Sequence, residues 1–276
     1  MELQDALFED CSLPLLEEEK KSLRRIKVQD RDLAILFFTW QCRYVAQRQY
    51  RFKFWPTSSQ PTVSKRLSEL KAINLLKTHA LPWLRDRLLY SVSTKGTKAL
   101  VEAGFTDIAV GDCPKPANDF TPGMKHDLDL VDLRMACERT GHITAWVSEH
   151  ELRLARKQGR GHVRITDGMF SFQALVGDAD ALIEYERMGY RRRRFIDILN
   201  RIKCSAEHRA GKLVFFVCAT PHRAETLRFW ANSCLPWKLT PNLIFFGHYE
   251  AVKTGGLEGS FVNLYNEPLK LPKLLD

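Results

Sequence analysis

The sequence predicts an α/β protein in two parts. A small helical domain closed by a β-hairpin comes first, and a larger domain with a mixed central sheet flanked by helices follows. Three observations carry this expectation. Helix-spaced, cation-rich segments crowd residues 20–104, which hold 18 Lys+Arg against 5 Asp+Glu, a net +13 where the whole chain carries +9. Gly104–Met124 is rich in Pro, Gly, Asn and Asp and has no sustained period, as an interdomain linker would be. Beyond it, short apolar runs alternate with helical patterns, and LVFFVC (213–218) is apolar throughout, as befits a buried central strand.

Composition sets the broad class. With 276 residues, 45% apolar and 27% charged, the chain has material for more than one core. A pI near 9.2 points to a polyanionic partner. Seven cysteines, none in a CxxC pair, argue against a disulfide framework or a structural zinc site and suit a reduced, cytoplasmic protein. No HExxH, GxxxxGK[ST] or GxSxG motif is present. The acidic start lacks a signal-peptide layout, and no apolar run reaches the ~20 residues that span a bilayer, so no membrane insertion is expected. Residues 1–29 read as a charged arm, acidic to residue 19 and then basic.

Residues 30–104 form the first predicted domain. Leu33, Leu36, Phe37 and Trp40 are helix-spaced behind Asp30, and a second, basic-aromatic helix runs from about Val45 to Phe54, before Trp55-Pro56. A third helix, VSKRLSELKAI before Asn74, buries Val63, Leu67, Leu70 and Ile73 and turns Ser64, Lys65, Arg66 and Lys71 outward. Asn74 suits a left-handed residue at its end. Leu75–Lys77 and Leu88–Val92 read as a hairpin with Arg85 and Arg87 near its tip, and Thr94 to Ala103 as a further helix. Three helices and a hairpin in this order make a winged helix-turn-helix pattern. Its third helix fits the major groove of double-stranded DNA. The DNA-facing residues are then Ser59, Gln60, Thr62, Ser64, Lys65 and Arg66, with Arg85 and Arg87 on the wing. Such proteins often bind two-fold sites as homodimers.

After a linker at 105–124, the second domain covers 125–276. A helix follows Lys125, with Asp127, Asp129 and Asp132 as surface acids that suit its dipole. Ile143–Val147 is a strand. Val163–Thr166, Met169–Val176 and Ala181–Glu186 are three more, broken at Asp167-Gly168 and Gly177-Asp178. Arg191–Lys203 is a helix with a dense positive start, 213–218 the central strand, Pro221–Trp230 a helix capped by Thr220, and NLIFFGHYEAV a last strand before an irregular tail. Asp167 ends one strand and Glu184 sits inside another that is otherwise apolar. A buried carboxylate must be paired, protonated or metal-bound. Two acids on adjacent strands can share a divalent cation. The alternative is that Asp167 only makes a turn and Glu184 pairs with an arginine.

The order of motifs resembles the replication-relaxation family of bacterial mobile elements, related to the MobC class of conjugative relaxases. The residues that carry this are His126-x-Asp-Leu opening a helix, Trp146 and Glu149, the acid turn at Asp167, and Glu184-Tyr-Glu186-Arg187 before a basic helix, all behind the winged helix. The resemblance implies a restriction-endonuclease-like second domain with a PD-(D/E)xK site, in which Asp167 and Glu184 bind Mg²⁺ or Mn²⁺. Asp129, Glu149 or Glu151 would complete the coordination. Glu186 stands where such nucleases carry Lys, although the family itself tends to hold an acid there, and the missing cation would come from Arg187, Arg191–Arg194 or Lys203. Glu151, Asp167, Glu184 and Glu186 are thus the candidate catalytic residues. The implied function is a DNA-binding protein of a plasmid or other mobile element, acting in replication or mobilisation with the proteins of those processes, and nicking DNA with a metal. A non-catalytic regulator with a degenerate nuclease-like domain is the alternative, and an RNA- or membrane-surface-binding protein a weaker third.

Overall fold

The computed structural model describes residues 26–80, 88–114, 121–159, 166–174, 177–187, 189, 191–203, 211–233 and 241–271. The chain is mixed α/β and divides into two compact units, Met1–Leu128 and Asp129–Asp276. Nine helices and two sheets lie among the described residues.

In the first unit, helix α1 (Asp30–Cys42) is followed by a two-residue strand β1 (Val45–Ala46), α2 (Gln47–Phe54) and α3 (Gln60–Ala72). Strands β2 (Leu76–Ala80) and β3 (Leu88–Val92) pair antiparallel, β1 joins the other side of β3, and α4 (Thr94–Glu102) follows. The second helix therefore starts two residues later than its sequence pattern predicts. Val45 and Ala46 are wholly buried and add a third strand to the hairpin instead. Val63, Leu67 and Leu70 on α3 are fully buried, as their spacing predicts. Asn74 adopts φ +62, the left-handed turn expected of it, and lets the chain run from α3 into β2. Gly96 is required by packing: a Cβ there would lie 2.3 Å from the Leu75 carbonyl oxygen.

The division between the units falls inside helix α5 (Pro122–Arg139). The second unit is built on a six-stranded sheet of β4 (Ile143–Ser148), β5 (Gly168–Ala174), β6 (Gly177–Glu186), β7 (Leu213–Cys218), β8 (Ile244–His248) and β9 (Phe261–Val262), neighbours in that order. The β4–β5, β5–β6 and β8–β9 pairs are antiparallel, and β6–β7 and β7–β8 are parallel. LVFFVC is β7, a central strand buried on both faces. Phe216 and Cys218 meet α7 (Arg192–Lys203) and α8 (Pro221–Asn232), while Phe215 and Val217 meet α5 and α9 (Tyr249–Gly255).

Several strand boundaries differ from the sequence reading. The predicted break at Gly177-Asp178 falls slightly earlier: β5 ends at Ala174, and Gly177, at φ +114, pairs with it and opens the ten-residue β6. Gly168 is the first residue of β5, with Asp167 before it, so the pair is no hairpin turn. The expected strand at 163–166 falls, apart from Thr166, outside the described residues. NLIFFGHYEAV splits into a 3₁₀ turn, β8 and α9, because His248 caps the helix through its ring, and the tail contributes β9. Thr220 caps α8 as expected, accepting from the Arg223 N–H at 3.3 Å. No described helix is long and apolar enough to cross a membrane.

Candidate nucleic-acid interface and carboxylate site

Helix α3 has an apolar side and a polar side. Opposite the buried stripe, Gln60, Thr62, Lys65, Ser68 and Lys71 are exposed and Ser64 is half-buried. Ser59 precedes the helix in extended backbone, and its hydroxyl lies 3.0 Å from that of Thr62. Ser64 donates back to the Gln60 carbonyl at 3.0 Å. Arg66, one of the residues expected to face outward, turns inward. Its guanidinium forms a two-pronged ion pair with Asp32 of α1, whose side chain is fully buried, and also donates to Glu69 at 2.6 Å and to the Lys27 carbonyl at 2.8 Å. Hydrogen bonding to Asp32 holds the Arg66 pKa above its ordinary value, against the opposing effect of burial. Asp32 also accepts from the Gln29 N–H at the helix start, so a single carboxylate ties α3 to the first turn of α1. Arg66 is therefore a structural cation, and the outward charge of α3 is carried by Lys65 and Lys71. Arg85 and Arg87 lie outside the described residues.

In the second unit, alternation along β6 distributes the candidate acids. Leu182 belongs to the cluster under α7 and α8, Ile183 and Tyr185 to the one under α5 and α9. Glu184 and Glu186 share the side of Leu182 by the strand period of two. The β5–β6 register pairs Gly168 with Ile183, and its continuation sets Asp167 opposite Glu184. Asp167 Oδ2 accepts from the Tyr185 backbone N–H at 2.6 Å, which fixes it at this edge. Glu184 is buried and Asp167 half-buried.

The remaining expected ligands are otherwise engaged. Glu186, its side chain 1% exposed, receives the Arg223 Nε at 3.1 and 3.2 Å on its two oxygens, and the terminal guanidinium nitrogen at 3.1 Å. The Arg223 guanidinium lies 4.9 Å from the centre of the Trp230 ring. Beneath this pair, burial and then the Glu186 charge push the Cys218 thiol pKa well up. Glu151 closes a capping box: its Oε2 accepts from the Ser148 N–H at 2.7 Å and the Ser148 hydroxyl at 2.8 Å, starting α6 (Glu149–Lys157). Glu149 accepts from Arg153 Nε at 3.0 Å, one turn on.

Asp129 and Asp132 are not the surface acids predicted. They are 6% and 4% exposed, and each accepts a tyrosine hydroxyl, Tyr185 at 3.0 Å and Tyr249 at 2.9 Å. Burial first, and the Asp129 charge second, raise the Tyr185 pKa. Because Tyr185 points to the opposite face from Glu184, Asp129 cannot share a cation with Glu184. Of the predicted acids, Asp167 and Glu184 are the two that lie at this edge between β5 and β6. Among the described residues, no three acids, histidines or cysteines converge on a metal-sized site. Two carboxylates suit Mg²⁺ when phosphate oxygens or waters complete its octahedron.

Sequence reasoning missed Arg223, Tyr185, Tyr249 and the inward turn of Arg66, all of which act through partners distant in sequence. Known protein families, curated proteins and solved structures were all compared with this chain, and none matches it.

Proposed function

We propose that the protein binds double-stranded DNA through its first unit, a winged helix-turn-helix in which α3 enters the major groove. The observation that carries this reading is the outer face of α3, where Gln60, Thr62, Lys65, Ser68 and Lys71 stand exposed over a fully buried Val63–Leu67–Leu70 stripe. The succession of α1, β1, α2, α3 and the β2–β3 hairpin supports it, as does the concentration of cations in residues 20–104. Lysines placed this way neutralise phosphates and the short polar side chains meet base edges. The role follows as a DNA-binding regulator, and the link to plasmid or other mobile-element replication and mobilisation rests on the resemblance in motif order. Fluorescence anisotropy on duplex DNA tests the interface. Lys65→Ala/Lys71→Ala should weaken binding and reduce the salt slope by about 1.8, at about 0.9 per phosphate contact. An unchanged slope removes α3 from the interface.

The second unit adds a second reading, a restriction-endonuclease-like domain that nicks DNA with Mg²⁺. The observation in its favour is Asp167, just before β5, bound to the Tyr185 N–H beside Glu184 on β6. Bound there, the cation would activate water and stabilise charge on a scissile phosphate. The engagement of Glu186, Glu151 and Asp129 elsewhere favours the regulator. Mn²⁺ titration by calorimetry, with and without duplex DNA, decides between them. Uptake lost in both Asp167→Ala and Glu184→Ala supports the nuclease, and no uptake in either condition leaves the regulator.

A further inference from the structure

Helix α7 opens against its own dipole. Arg191, Arg192, Arg193 and Arg194 are all exposed at its start, where the partial positive charge of the helix disfavours cations. The buried stripe of the helix is supplied by Phe195, Ile198, Leu199 and Ile202, not by these cations. The same end of a helix, with its N–H groups and these guanidinium groups together, favours a bound anion. Arg201 and Lys203 extend the cationic surface to the far end, and Asp197 and Glu225 are the exposed acids on α7 and α8.

An aromatic ring stands beside this start. Phe229 of α8 is 72% exposed, the most exposed large apolar side chain among the described residues. It lies one turn before Ser233, whose hydroxyl accepts from Arg192 at 3.3 Å. Its neighbour Trp230 is instead packed against Phe195, 6.2 Å between ring centres. The outward ring is thus one helical turn from the Ser233 hydroxyl that Arg192 reaches.

We propose that this face of α7 and α8 binds single-stranded DNA, the arginines holding phosphates and Phe229 stacking on an unpaired base. Arginine forks match phosphate oxygens, and an exposed flat ring offers what a paired base inside a duplex cannot reach. A polyanion fits the charge, and the ring favours a strand with free bases over a duplex, whose bases are stacked and paired. The site lies on the second unit and α3 on the first. Only the choice of DNA over RNA rests on the duplex-binding reading of the first unit.

The test uses the full chain and a labelled oligothymidylate of about 16 nucleotides, the upper range of single-strand sites. Four proteins are compared by anisotropy: the unaltered chain, Phe229→Ala, Arg191→Ala/Arg193→Ala, and the duplex-defective Lys65→Ala/Lys71→Ala. Phe229→Ala should weaken single-strand binding about tenfold while leaving duplex binding intact. The arginine pair should lower the salt slope by about 1.4, at about 0.7 per contact. The Lys65/Lys71 variant should retain single-strand affinity, so failure of duplex recognition is told apart from failure here. Single-strand affinity indifferent to Phe229 and to the arginines overturns the proposal. So does tighter binding to oligouridylate, or a Phe229-dependent affinity for phosphatidylserine vesicles that exceeds the one for the oligonucleotide.

Discussion

Removing Arg223 is the most informative single perturbation of the second unit. Its guanidinium holds both oxygens of Glu186, whose side chain is 1% exposed, while the arginine is 19% exposed and rests on Trp230. Arg223→Ala leaves a carboxylate in a nearly water-free position between β6 and α8, which costs about 3–5 kcal/mol for a broken buried pair. At about 2–4 °C per kcal/mol for a unit of this size, that lowers its melting temperature by roughly 6–20 °C. Glu186→Gln should cost about 1 kcal/mol, because the cation it strands can still reach water and the Trp230 face. A Glu186→Leu/Arg223→Met variant should recover most of the loss, since apolar groups of similar volume often replace a buried pair at no cost. Two units need not melt together, so the reporter should be the thiols of Cys137 and Cys218, both buried in this unit, which become reactive to alkylation as it opens. An Arg223→Ala cost below about 1 kcal/mol would refute the ion-pair account. So would Mn²⁺ that stabilises the unaltered protein but not Glu186→Gln, because Glu186 would then be a ligand.

Three further outcomes follow from the geometry. Arg66→Ala should destabilise the first unit by about 3 kcal/mol, since Asp32 is left buried and charged, whereas Lys65→Ala should change stability by less than about 0.5 kcal/mol; urea denaturation followed by circular dichroism separates them. Tyr185→Phe should cost about 1–3 kcal/mol in the same assay, because the buried Asp129 loses the hydrogen bond from the Tyr185 hydroxyl. Burial pushes the Cys137 thiol from 9.0 up to about 12, so the folded state binds its proton more tightly than the unfolded chain does. The stability this gives is intact below pH 9 and disappears as pH rises towards 12, and Cys137→Ala should flatten that alkaline limb of melting temperature against pH.

What the sequence reveals here is what depends on near neighbours. The α3 stripe, the left-handed Asn74, the Thr220 cap and the doubly buried β7 all arise from residues within a few positions of one another, and all appear in the structure. The assignments that changed depend on partners far along the chain. Arg66 looks outward by helical spacing, but Asp32, 34 residues earlier, draws it in. Asp129 and Asp132 look like surface acids at a helix start, yet tyrosines 56 and 117 residues away sit over them. Glu186 reads as a site acid until α8 brings Arg223 across 37 residues. Glu151 is the exception, since Ser148-x-x-Glu151 is a capping box visible in the sequence itself.

The same alternation that builds the sheet limits its chemistry. Along Glu184-Tyr185-Glu186, the period of two sends both glutamates to the α7–α8 side and the tyrosine to the α5 side. Glu186 is neutralised by α8, and the α5 acids are separated from Glu184 by the sheet. Among the described residues, cation chemistry at this edge would begin with Asp167 and Glu184 and draw further ligands from water or a bound phosphate. A site of that kind gains affinity for metal when DNA is present and gains affinity for DNA when metal is present, because the two couplings are one free energy. Binding of DNA to the second unit that is indifferent to Mn²⁺ would mean that these acids do not meet the phosphate.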